Sequence, residues 1–512
     1  MSSTSLQPAT QGSVRDVVPW LANLRTGAAR RTVRDLRLDS RFVRGGDIFV
    51  AVPGETTDGR RFLDDAIARG AAAALVEAEG WSGGAYAAPV LAVPGLRSEL
   101  AAVAADFYGR PSDQLLSIGV TGTNGKTSCS QWIAQLLTRE GRRCAVVGTI
   151  GIGFPGALQA SDLTTPDPVS LQRELRILLD AGAQALAMEV SSIGLIQGRV
   201  DGMRFDVALF TNLTRDHLDV HGTMERYEAA KAMLFDWPSL RHAVINLDDA
   251  AGCRMAERAR ARGVAVIGYS AMGNPTPRPV APRLVAEAAR ATAQGLAFDL
   301  VLDGRHFSVE LGLVGHFNVA NLLGVLGASI ACGVAPEAAV AALPELVPPP
   351  GRMQRVASSA GPLVIVDYAH TPDALVQALA AVRPLAGARG GRLWVVFGAG
   401  GDRDPGKRAP MGSAAATAAD VVVITSDNPR TEDPQQIIDA VARGAASAHR
   451  LLTEPDRARA IDAAVQEADA ADVVLIAGKG HEDYQIVGAE KRPFSDLLQA
   501  RRALDRRAGG AA

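Results

Sequence analysis

The sequence predicts an α/β protein of three domains: a small N-terminal α/β domain at residues 1–98, a central phosphate-loop domain at 99–346 and a C-terminal doubly wound domain at 347–512. The 512 residues are too many for one hydrophobic core, because single domains usually hold ~100 to 200 residues. A glycine-rich loop follows an apolar segment near residue 120, and the run Pro348–Gly351 is typical of a linker. After that linker, strand and helix patterns alternate, which favours a parallel sheet covered by helices.

The composition narrows the function classes. Hydrophobic residues make up 47% and charged residues 21% of the chain, and the formal net charge is -2. These values are ordinary for a globular protein and predict neither a nucleic-acid nor a membrane partner. No run of ~18 apolar residues and no basic start before an apolar core occurs, so we expect neither a membrane span nor a signal peptide. We expect a cytoplasmic monomer with four reduced, widely spaced cysteines, Cys129, Cys144, Cys253 and Cys332.

The first domain has the pattern of a small α/β unit behind a polar tail. The continuous apolar run Ile48–Val52 predicts a buried strand, Phe62–Arg69 a helix and Ala72–Val76 a second strand. From the residues alone, the polar loops of this domain are better explained as solvated connections than as binding sites.

The central domain is organised around the seven residues Thr121–Thr127, Thr-Gly-Thr-Asn-Gly-Lys-Thr. They follow the mostly apolar run Leu115–Val120 and precede a helical pattern that begins near Ser128. The strict phosphate-loop spacing would place glycine where this chain has Val120, so the match is a variant. A chance Gly-Lys-Thr is the alternative, but the order of strand, loop and helix favours a nucleotide triphosphate site.

Each residue type in this loop suits phosphate binding. Gly122 and Gly125 allow a tight turn that brings backbone N–H groups close to phosphate oxygens. Lys126 can then reach the β- and γ-phosphates, and Thr127 can ligate Mg²⁺.

Further polar groups follow predicted strands of the central domain. Glu189 lies near the end of the apolar run Ala185–Val190, where an open α/β sheet would place a Mg²⁺ ligand. The segment Thr211–Asp219 follows another such run. The helical segment Met224–Phe235 carries Lys231 in a mostly apolar neighbourhood, and the plain alternative is a lysine that extends its ammonium to solvent.

The last domain carries four polar clusters that each follow a predicted strand, at residues 367–373, 398–407, 427–430 and 478–483. The carboxyl ends of parallel strands meet at one edge of a sheet, so we expect the clusters to form one binding cleft. Chance placement of loops is the alternative, and the recurrence of clusters at one edge argues against it.

Lysine usage is uneven. Lysine and arginine together number 53, yet lysine stands at only five positions, 126, 231, 407, 479 and 491. A bias in the base composition of the gene would make lysine rare, but it would not explain why lysine remains at these five positions. Arginine cannot replace a compact ammonium or an amine that must lose its proton, so the remaining lysines are candidates for specific chemistry.

With these motifs in view, the chain closely resembles the Mur ligase family, ATP-dependent enzymes that form amide bonds in bacterial cell-wall precursors. The resemblance runs in order from about Leu36 to the end of the chain. It implies a central phosphate-loop ATPase-like domain and a C-terminal Rossmann-like domain. The motifs that carry it are TGTNGKT at 121, MEVSS at 188, TNLTRDHLD at 211, YEAAK at 227, GRM at 351, DYAHTPD at 367, DNPR at 427 and GKGHEDYQ at 478.

The resemblance implies a role for each matching position. ATP and Mg²⁺ are the implied cofactors, and the implied nucleotide contacts are Gly122, Thr123, Asn124, Gly125, Lys126, Thr127, Asn321, Arg352 and Asp367. The implied catalytic residues are Lys126, Glu189, His217 and Lys231. Lys231 is expected to carry a CO₂-derived carbamate, and the implied metal ligands are Thr127, Glu189, His217 and this carbamate.

The resemblance also implies the two substrates besides ATP. A UDP-N-acetylmuramoyl dipeptide would contact Leu38, Ser40, Glu55, Thr56 and Thr57 through its uridine nucleotide, and Thr164, Thr165, Ser191, Gln197 and Arg199 through its muramoyl dipeptide. In the family, DNPR accompanies meso-diaminopimelate rather than lysine as the added amino acid. The implied contacts of diaminopimelate are Arg403, Asp427, Asn428, Pro429, Arg430, Gly478 and Glu482. The planar guanidinium of Arg430 suits a second carboxylate and would repel the side-chain ammonium of lysine.

Two positions depart from the family pattern: Ile193 stands where many members have histidine, and Gln354 where glutamate is common. One alternative function keeps the reaction type, as a lysine-adding or folylpolyglutamate-type relative. The other is a phosphate-loop nucleotide switch without ligase activity. The DNPR motif argues against the first, and the polar clusters of the last domain argue against the second.

Overall fold

Three α/β units follow one another along the chain, which confirms the predicted fold class. The computed structural model describes residues 6–26, 31–54, 57–161, 163–272, 280–292, 295–356 and 361–510. The main sheets of the three units have five, eleven and six strands. Among the described helices, none has the combination of length and apolar character that a bilayer crossing requires.

The N-terminal unit is a parallel sheet with helices on both faces. Its strands are β1 (Gln7–Pro8), β2 (Thr10–Gln11), β3 (Leu36–Arg37), β4 (Ile48–Ala51), β5 (Ala73–Glu77), β6 (Ala85–Tyr86) and β7 (Val90–Val93), and its helices are α1 (Val14–Thr26), α2 (Leu63–Ala68) and α3 (Leu96–Phe107). The main sheet has the order β2-β7-β5-β4-β3, and β1 pairs with β6. Ile48 and Val50 pack with α1 and α3, whereas Phe49 and Ala51 pack with α2. Both faces of β4 are therefore buried, which explains its continuous apolar run.

Helix α3 spans the predicted boundary between the first and second domains. The predicted limit between residues 98 and 99 falls inside this helix, which begins at Leu96. Leu96 and Leu100 share a hydrophobic core with the N-terminal strands, and α3 also packs against the helix at Pro168–Asp180. A division after residue 108 would keep α3 whole, and the domain limits remain a prediction.

The central unit is one large mixed sheet flanked by helices. Its strands are β8 (Leu116–Thr121), β9 (Cys144–Gly148), β10 (Gly151–Phe154), β11 (Ala157–Gln159), β12 (Ala185–Glu189), β13 (Val207–Phe210), β14 (His242–Asn246), β15 (Ala265–Ser270), β16 (Leu284–Ala291), β17 (Leu296–Leu302) and β18 (Arg305–Leu311). Its helices are α4 (Lys126–Arg139), α5 (Pro168–Asp180), α6 (Ser192–Ile196), α7 (Leu218–His221), α8 (Met224–Ala232), α9 (Ala250–Ala261), α10 (Phe317–Ala331) and α11 (Pro336–Ala342).

The strand order of this sheet positions the phosphate loop. The order is β11-β10-β9-β12-β8-β13-β14-β15-β16-β17-β18, with parallel pairing from β9 to β16. Strand β17 pairs antiparallel with both β16 and β18. Because β8 lies between β12 and β13, the loop after β8 emerges beside Glu189 at the end of β12 and Thr211 just after β13.

The C-terminal unit confirms the predicted doubly wound sheet. Its strands are β19 (Gln354–Val356), β20 (Leu363–Asp367), β21 (Leu393–Phe397), β22 (Val421–Ile424), β23 (Leu451–Thr453), β24 (Val473–Ala477), β25 (Tyr484–Val487) and β26 (Glu490–Pro493). Its helices are α12 (Pro372–Arg389), α13 (Arg408–Ala418), α14 (Pro434–Gly444), α15 (Arg457–Glu467) and α16 (Asp496–Gly510). The order is β19-β20-β24-β21-β22-β23, parallel except for β19. Helices α12 to α14 cover one face, and α15 and α16 cover the other.

Candidate active site

The two phosphate-loop glycines adopt backbone conformations that favour glycine. Gly122 has φ of +147° and Gly125 has φ of +84°. A Cβ on Gly122 would lie 1.9 Å from Thr211 Oγ1, and one on Gly125 would lie 2.3 Å from Asn321 Oδ1. Both positions therefore need glycine for their conformation and for the close approach of a neighbouring side chain.

The polar segment after β13 holds the loop in place. Asn212 accepts the Thr123 N–H at its carbonyl (2.8 Å) and the Asn124 N–H at its side-chain oxygen (2.9 Å). Thr211 Oγ1 donates to the Asn124 carbonyl at 2.6 Å, and Thr123 Oγ1 donates to the Thr214 carbonyl at 3.2 Å. This hydrogen bonding gives the 211–214 part of the predicted polar cluster a structural role.

Lys126 bends over the phosphate loop. Its Nζ donates to the carbonyls of Gly122 at 2.9 Å and Thr123 at 2.8 Å. Burial lowers the pKa of Lys126, while the carboxylates of Glu189 and Asp216 act to raise it. The amine thus lies at the loop, where burial outweighs the two carboxylates and the net effect is a lowered pKa.

Glu189 is buried at the end of β12 and is held by two threonines. Thr127 Oγ1 donates to Glu189 Oε2 at 3.0 Å. The Thr149 N–H donates to Oε1 at 2.8 Å, and Thr149 Oγ1 donates to Oε2 at 3.1 Å. A Cβ on Gly148 would lie 2.2 Å from Oε1, so a glycine is needed beside this carboxylate. Thr149 was missed by sequence reasoning, because it follows a strand whose neighbour in the sheet, β12, is distant in sequence.

Lys231 is almost completely enclosed, with 1% of its surface exposed. Its Nζ donates to the Gly122 carbonyl at 2.8 Å and lies 4.3 Å from the centre of the Tyr227 ring. Burial, followed by the nearby charge of Lys126, lowers the pKa of Lys231 to about 6, against the opposing effect of Asp216. The alternative of a lysine extended to solvent is therefore wrong.

Tyr227 connects Lys231 to two histidines. Its hydroxyl hydrogen-bonds Thr123 Oγ1 at 3.2 Å, and its ring centre lies 6.2 Å from that of His217 and 5.0 Å from that of His221. His217 has φ of +51° and remains about half exposed. The structure thus places His217 near the Lys231 helix, although no described contact joins it to Glu189.

The side chains around Glu189 offer few ligands for Mg²⁺ without modification. Within the described ranges, no group of three His, Cys, Asp or Glu side chains is close enough to hold a metal ion. Thr127 and Glu189 supply oxygen donors, which Mg²⁺ prefers, whereas an ammonium at Lys231 cannot ligate. A carbamate on Lys231 would supply an anionic oxygen, so the donor types of these three residues suit Mg²⁺ when that lysine is modified.

The three predicted nucleotide contacts outside the phosphate loop, Asn321, Arg352 and Asp367, lie on two units. Asn321 is buried in α10 and donates to Asn318 Oδ1 at 2.9 Å, with its own Oδ1 turned toward Gly125. Arg352 stacks over the Tyr368 ring at 4.8 Å, and its buried Nε has no hydrogen-bond partner among the described residues. A buried donor without a partner suits an anionic ligand such as a phosphate.

Asp367 organises the start of the C-terminal unit. Its carboxylate accepts the Met353 N–H at 2.8 Å and the Ala369 N–H at 2.9 Å. Burial raises the pKa of Asp367, against the effects of Arg352 and these two N–H groups. The carboxylate therefore fixes the Gly-Arg-Met segment that presents Arg352.

Gly351, at the end of the linker, touches the Gly478–Asp483 loop backbone to backbone. It has φ of +66°, and a Cβ there would lie 2.2 Å from the Gly480 carbonyl carbon. The side-chain oxygen of Gln354 accepts the Gly351 N–H at 2.9 Å. The departure from glutamate at this position therefore keeps a hydrogen-bond acceptor.

The residues predicted for the muramoyl dipeptide form one network beside Glu189. Thr165 Oγ1 donates to the Glu189 carbonyl at 3.1 Å and lies 3.0 Å from Ser191 Oγ. Arg199 Nη1 donates to the Thr165 carbonyl at 2.7 Å. Thr164 Oγ1 lies 3.0 Å from Thr149 Oγ1. The half-buried Ile193 lies in α6, and the exposed Gln197 directly follows that helix.

The predicted uridine contacts follow two neighbouring parallel strands, β3 and β4. Leu38 packs against the N-terminal core, and the buried Ser40 hydrogen-bonds Asp65. Thr57 is exposed, and its carbonyl accepts the Gly54 N–H at 2.9 Å. Glu55 and Thr56 lie outside the described residues.

The predicted amino-acid residues gather at the carboxyl edge of the C-terminal sheet. Asn428 Nδ2 donates to Glu482 Oε2 at 3.0 Å. A Cβ on Gly478 would lie 2.6 Å from the buried Asp427 carboxylate, so the two predicted clusters after β22 and β24 touch. The expectation that polar clusters meet at one edge holds for this pair.

The polar cluster at residues 398–407, which follows β21, contacts the 427–430 cluster at the same edge of the sheet. Arg430 has φ of +53° and donates from Nη1 to the Gly401 carbonyl at 2.6 Å. A Cβ on Gly400 would lie 3.1 Å from Arg430 Nη1 and 3.9 Å from Arg403 Cγ, so both guanidinium-bearing side chains border this loop. The carbonyl of the buried Pro429 lies against Gly401.

A buried ion pair behind this edge was missed by sequence reasoning. Arg457 at the start of α15 and Asp496 at the start of α16 are both fully buried and form two hydrogen bonds of 2.7 Å. Arg457 also donates to the carbonyls of Ser426 and Ala477, next to the two clusters. The two residues are far apart in sequence, and neither lies in an apolar or glycine-rich pattern that would reveal the pair.

Comparison with known proteins gives the same family along the whole chain. Family models match at residues 32–108 (Mur ligase family, catalytic domain), 120–329 (Mur ligase middle domain) and 351–480 (Mur ligase, glutamate ligase domain). A relative from Ralstonia nicotianae, named UDP-N-acetylmuramoyl-L-alanyl-D-glutamate--2,6-diaminopimelate ligase, is 51% identical over 509 residues that cover 98% of each chain. A solved structure of an enzyme of that name is 39% identical with a TM-score of 0.69 and covers 93% of this chain and 95% of that one. The MurF ligase of Thermotoga maritima in complex with ADP, 20% identical with a TM-score of 0.62 over 94% of this chain and 99% of its own, shares the fold.

Proposed function

The chain belongs to the Mur ligase family, and we propose that it joins meso-2,6-diaminopimelate to the D-glutamate γ-carboxylate of UDP-N-acetylmuramoyl-L-alanyl-D-glutamate at the expense of ATP. The identity of 51% over nearly the full length with a relative of that name carries the proposal. The DNPR segment at the carboxyl edge of the C-terminal sheet, in contact with Glu482, supports the choice of amino acid.

The reaction requires activation of a carboxylate, because a carboxylate does not react with an amine at neutral pH. Transfer of the γ-phosphoryl group of ATP to the γ-carboxylate gives an acyl phosphate and ADP. The free amine of diaminopimelate then attacks the acyl carbon through a tetrahedral intermediate, and phosphate leaves as the amide bond forms. Lys126 and the loop N–H groups would bind the phosphates, and Arg352 would add a second positive charge.

We propose that Thr127, Glu189, His217 and a carbamate on Lys231 hold Mg²⁺, which when bound neutralises charge on the transferring phosphoryl group. The contact between Thr127 and Glu189 supports two of these ligands. The pKa of about 6 at Lys231 supports the third, because a neutral amine can attack CO₂. The N–C bond forms, one C=O electron pair moves to oxygen, and the amine proton passes to solvent. The His217 nitrogen is the least suited of the four to Mg²⁺.

Diaminopimelate would be selected by charge. Arg430 can pair with the carboxylate that lysine lacks, and Glu482 can accept an ammonium. Lysine would instead set its own ammonium against Arg430. Arg403, Asp427, Asn428, Pro429 and Gly478 complete the proposed site. The muramoyl dipeptide is assigned to the Thr165 network beside Glu189, and the uridine nucleotide to the loops after β3 and β4, including Glu55 and Thr56.

Phosphate release with ATP, Mg²⁺ and the UDP-linked dipeptide tests the proposal. We expect release that depends on diaminopimelate and not on lysine. Turnover with lysine alone would indicate the lysine-adding alternative, and release indifferent to both amino acids would contradict a ligase. We also propose a cytoplasmic location, which the free state of the four cysteines supports, and a monomeric state. Light scattering after size-exclusion chromatography would test the monomer.

A further inference from the structure

Lys479 is a buried lysine to which neither the proposed reaction nor the proposed substrate contacts assign a role. It lies just after β24, and its side chain is 0% exposed. Its Nζ donates to Asn428 Oδ1 at 3.0 Å and to Glu482 Oε2 at 3.0 Å. We propose that Lys479 is a positioning residue that fixes the Asn428 amide and the Glu482 carboxylate for diaminopimelate. This inference rests on the proposed function.

The orientation of the Asn428 amide follows from its neighbours. The Asn428 side-chain oxygen receives two donors, Lys479 Nζ and the Ile486 N–H at 2.9 Å. An ammonium and an N–H group can only donate, so the amide oxygen must face them. The amide nitrogen is then directed at Glu482 Oε2, to which it donates at 3.0 Å. Lys479, together with the Ile486 N–H, thus determines which end of the Asn428 amide meets the carboxylate.

The Glu482 carboxylate is held at one oxygen and open at the other. Oε2 accepts from both Lys479 and Asn428, whereas Oε1 has no hydrogen-bond partner among the described residues. The carboxylate is 18% exposed, so it borders solvent while Lys479 behind it does not. A charge-assisted hydrogen bond at Oε2 fixes the rotamer and leaves Oε1 for an ammonium of the substrate.

The surroundings favour lysine over arginine. Gly478 has φ of +120° and Gly480 has φ of +54°, and a Cβ on Gly480 would lie 2.7 Å from Tyr368 Cβ. The backbone around Lys479 is therefore tightly packed and admits a compact ammonium better than a planar guanidinium. This chain has arginine at most of its cationic positions, so the lysine at 479 agrees with a specific need for that shape.

Steady-state kinetics on Lys479→Met tests the proposal, with Lys491→Met as the matched control. Both lysines lie over the Tyr484 ring, Lys479 at 5.6 Å and Lys491 at 3.7 Å, but Lys491 is exposed. We expect Lys479→Met to raise the KM for diaminopimelate at least about tenfold, with the KM values for ATP and the UDP-linked dipeptide within about twofold. Lys479→Arg should show the same selective defect, and Lys491→Met should match the wild type.

A double variant separates positioning from loss of fold. Lys479→Met/Glu482→Gln carries no unpaired buried charge. We expect its KM for diaminopimelate to equal that of Glu482→Gln within about twofold, because the Asn428 amide that Lys479 orients also acts on the Glu482 carboxylate. Four outcomes would each overturn the inference. They are additive effects in the double variant, an unchanged KM for diaminopimelate in Lys479→Met, a wild-type KM in Lys479→Arg, and an equal rise of all three KM values in Lys479→Met. A wild-type enzyme that fails to use diaminopimelate would instead contradict the proposed function itself.

Discussion

Replacing Arg457 with methionine tests whether a buried ion pair stabilises the edge that carries the amino-acid residues. The side chains of Arg457 and Asp496 are both 0% exposed and share two hydrogen bonds of 2.7 Å. Arg457 also donates to the carbonyls of Ser426 at 3.3 Å and Ala477 at 2.9 Å. The variant therefore leaves a buried carboxylate without its partner and two carbonyls without a donor.

The expected loss is large. Removal of one partner of a buried ion pair costs about 3–5 kcal/mol. A domain of this size class loses about 2–4 °C in Tm for each kcal/mol, so the transition of the C-terminal unit should fall by about 6–20 °C. Differential scanning calorimetry of the full chain measures this shift. In the control Arg450→Met, the broken pair with Glu467 is 42% and 45% exposed, and the transition should hardly move.

The double variant Arg457→Met/Asp496→Leu distinguishes the cost of the unpaired carboxylate from the cost of the two lost carbonyl contacts. It has no unpaired charge, so most of the lost stability should return. A loss in Arg457→Met no larger than that in Arg450→Met would refute the reasoning. If the double variant stays as unstable as the single one, the loss comes from the carbonyl contacts rather than from the stranded carboxylate.

Four further outcomes are expected. Gly125→Ala should lower kcat/KM for ATP at least about tenfold, because its Cβ would meet Asn321 Oδ1 at 2.3 Å; an unchanged value would contradict the required approach. Native mass spectrometry in bicarbonate should detect an increment of one CO₂ that Lys231→Met lacks, and equal masses would exclude the carbamate. Arg430→Ala should raise the KM for diaminopimelate far more than that for ATP, whereas equal effects would contradict the contact. Burial lowers the pKa of His481 below its usual 6.5, so the unfolded chain binds a proton at a higher pH than the folded chain does, and the free energy of unfolding falls as the pH drops below about 6.5. The variant His481→Gln should show a smaller fall, measured as the urea midpoint of unfolding at each pH. A pH profile identical to that of the wild type would contradict this expectation.

Buried strands were the elements most accessible from sequence. The runs Leu393–Phe397, Val421–Ile424 and Val207–Phe210 are strands with those same limits, because strands buried on both faces leave continuous apolar segments. The hairpin β25–β26 and the polar helix α16 were not predicted. Their residues are mostly exposed or charged, so local pattern carries little of the information that fixes them.

Site residues that belong to a local motif could be predicted from the sequence, whereas those defined by contacts between distant segments could not. Motif residues such as Lys126 and Glu189 could be named because the phosphate loop and the strand end are local in sequence. Thr149 and Lys479 could not be assigned their partners, since their contacts with Glu189 and Asn428 join segments far apart in the chain. Pairings of that kind depend on strand order, which a single sequence does not reveal.

The backbone contact between Gly351 and Gly480 joins the end of the linker directly to the amino-acid loop. No side chain stands between the two backbones to absorb a displacement, and a Cβ at Gly351 would already overlap the loop. Any rotation of the C-terminal unit that begins before Gly351 therefore carries the 478–483 loop with it. A rotation that begins after Gly351 must first separate the two backbones. For a rotation that keeps this contact, the pivot would lie in the proline-rich residues that precede Gly351.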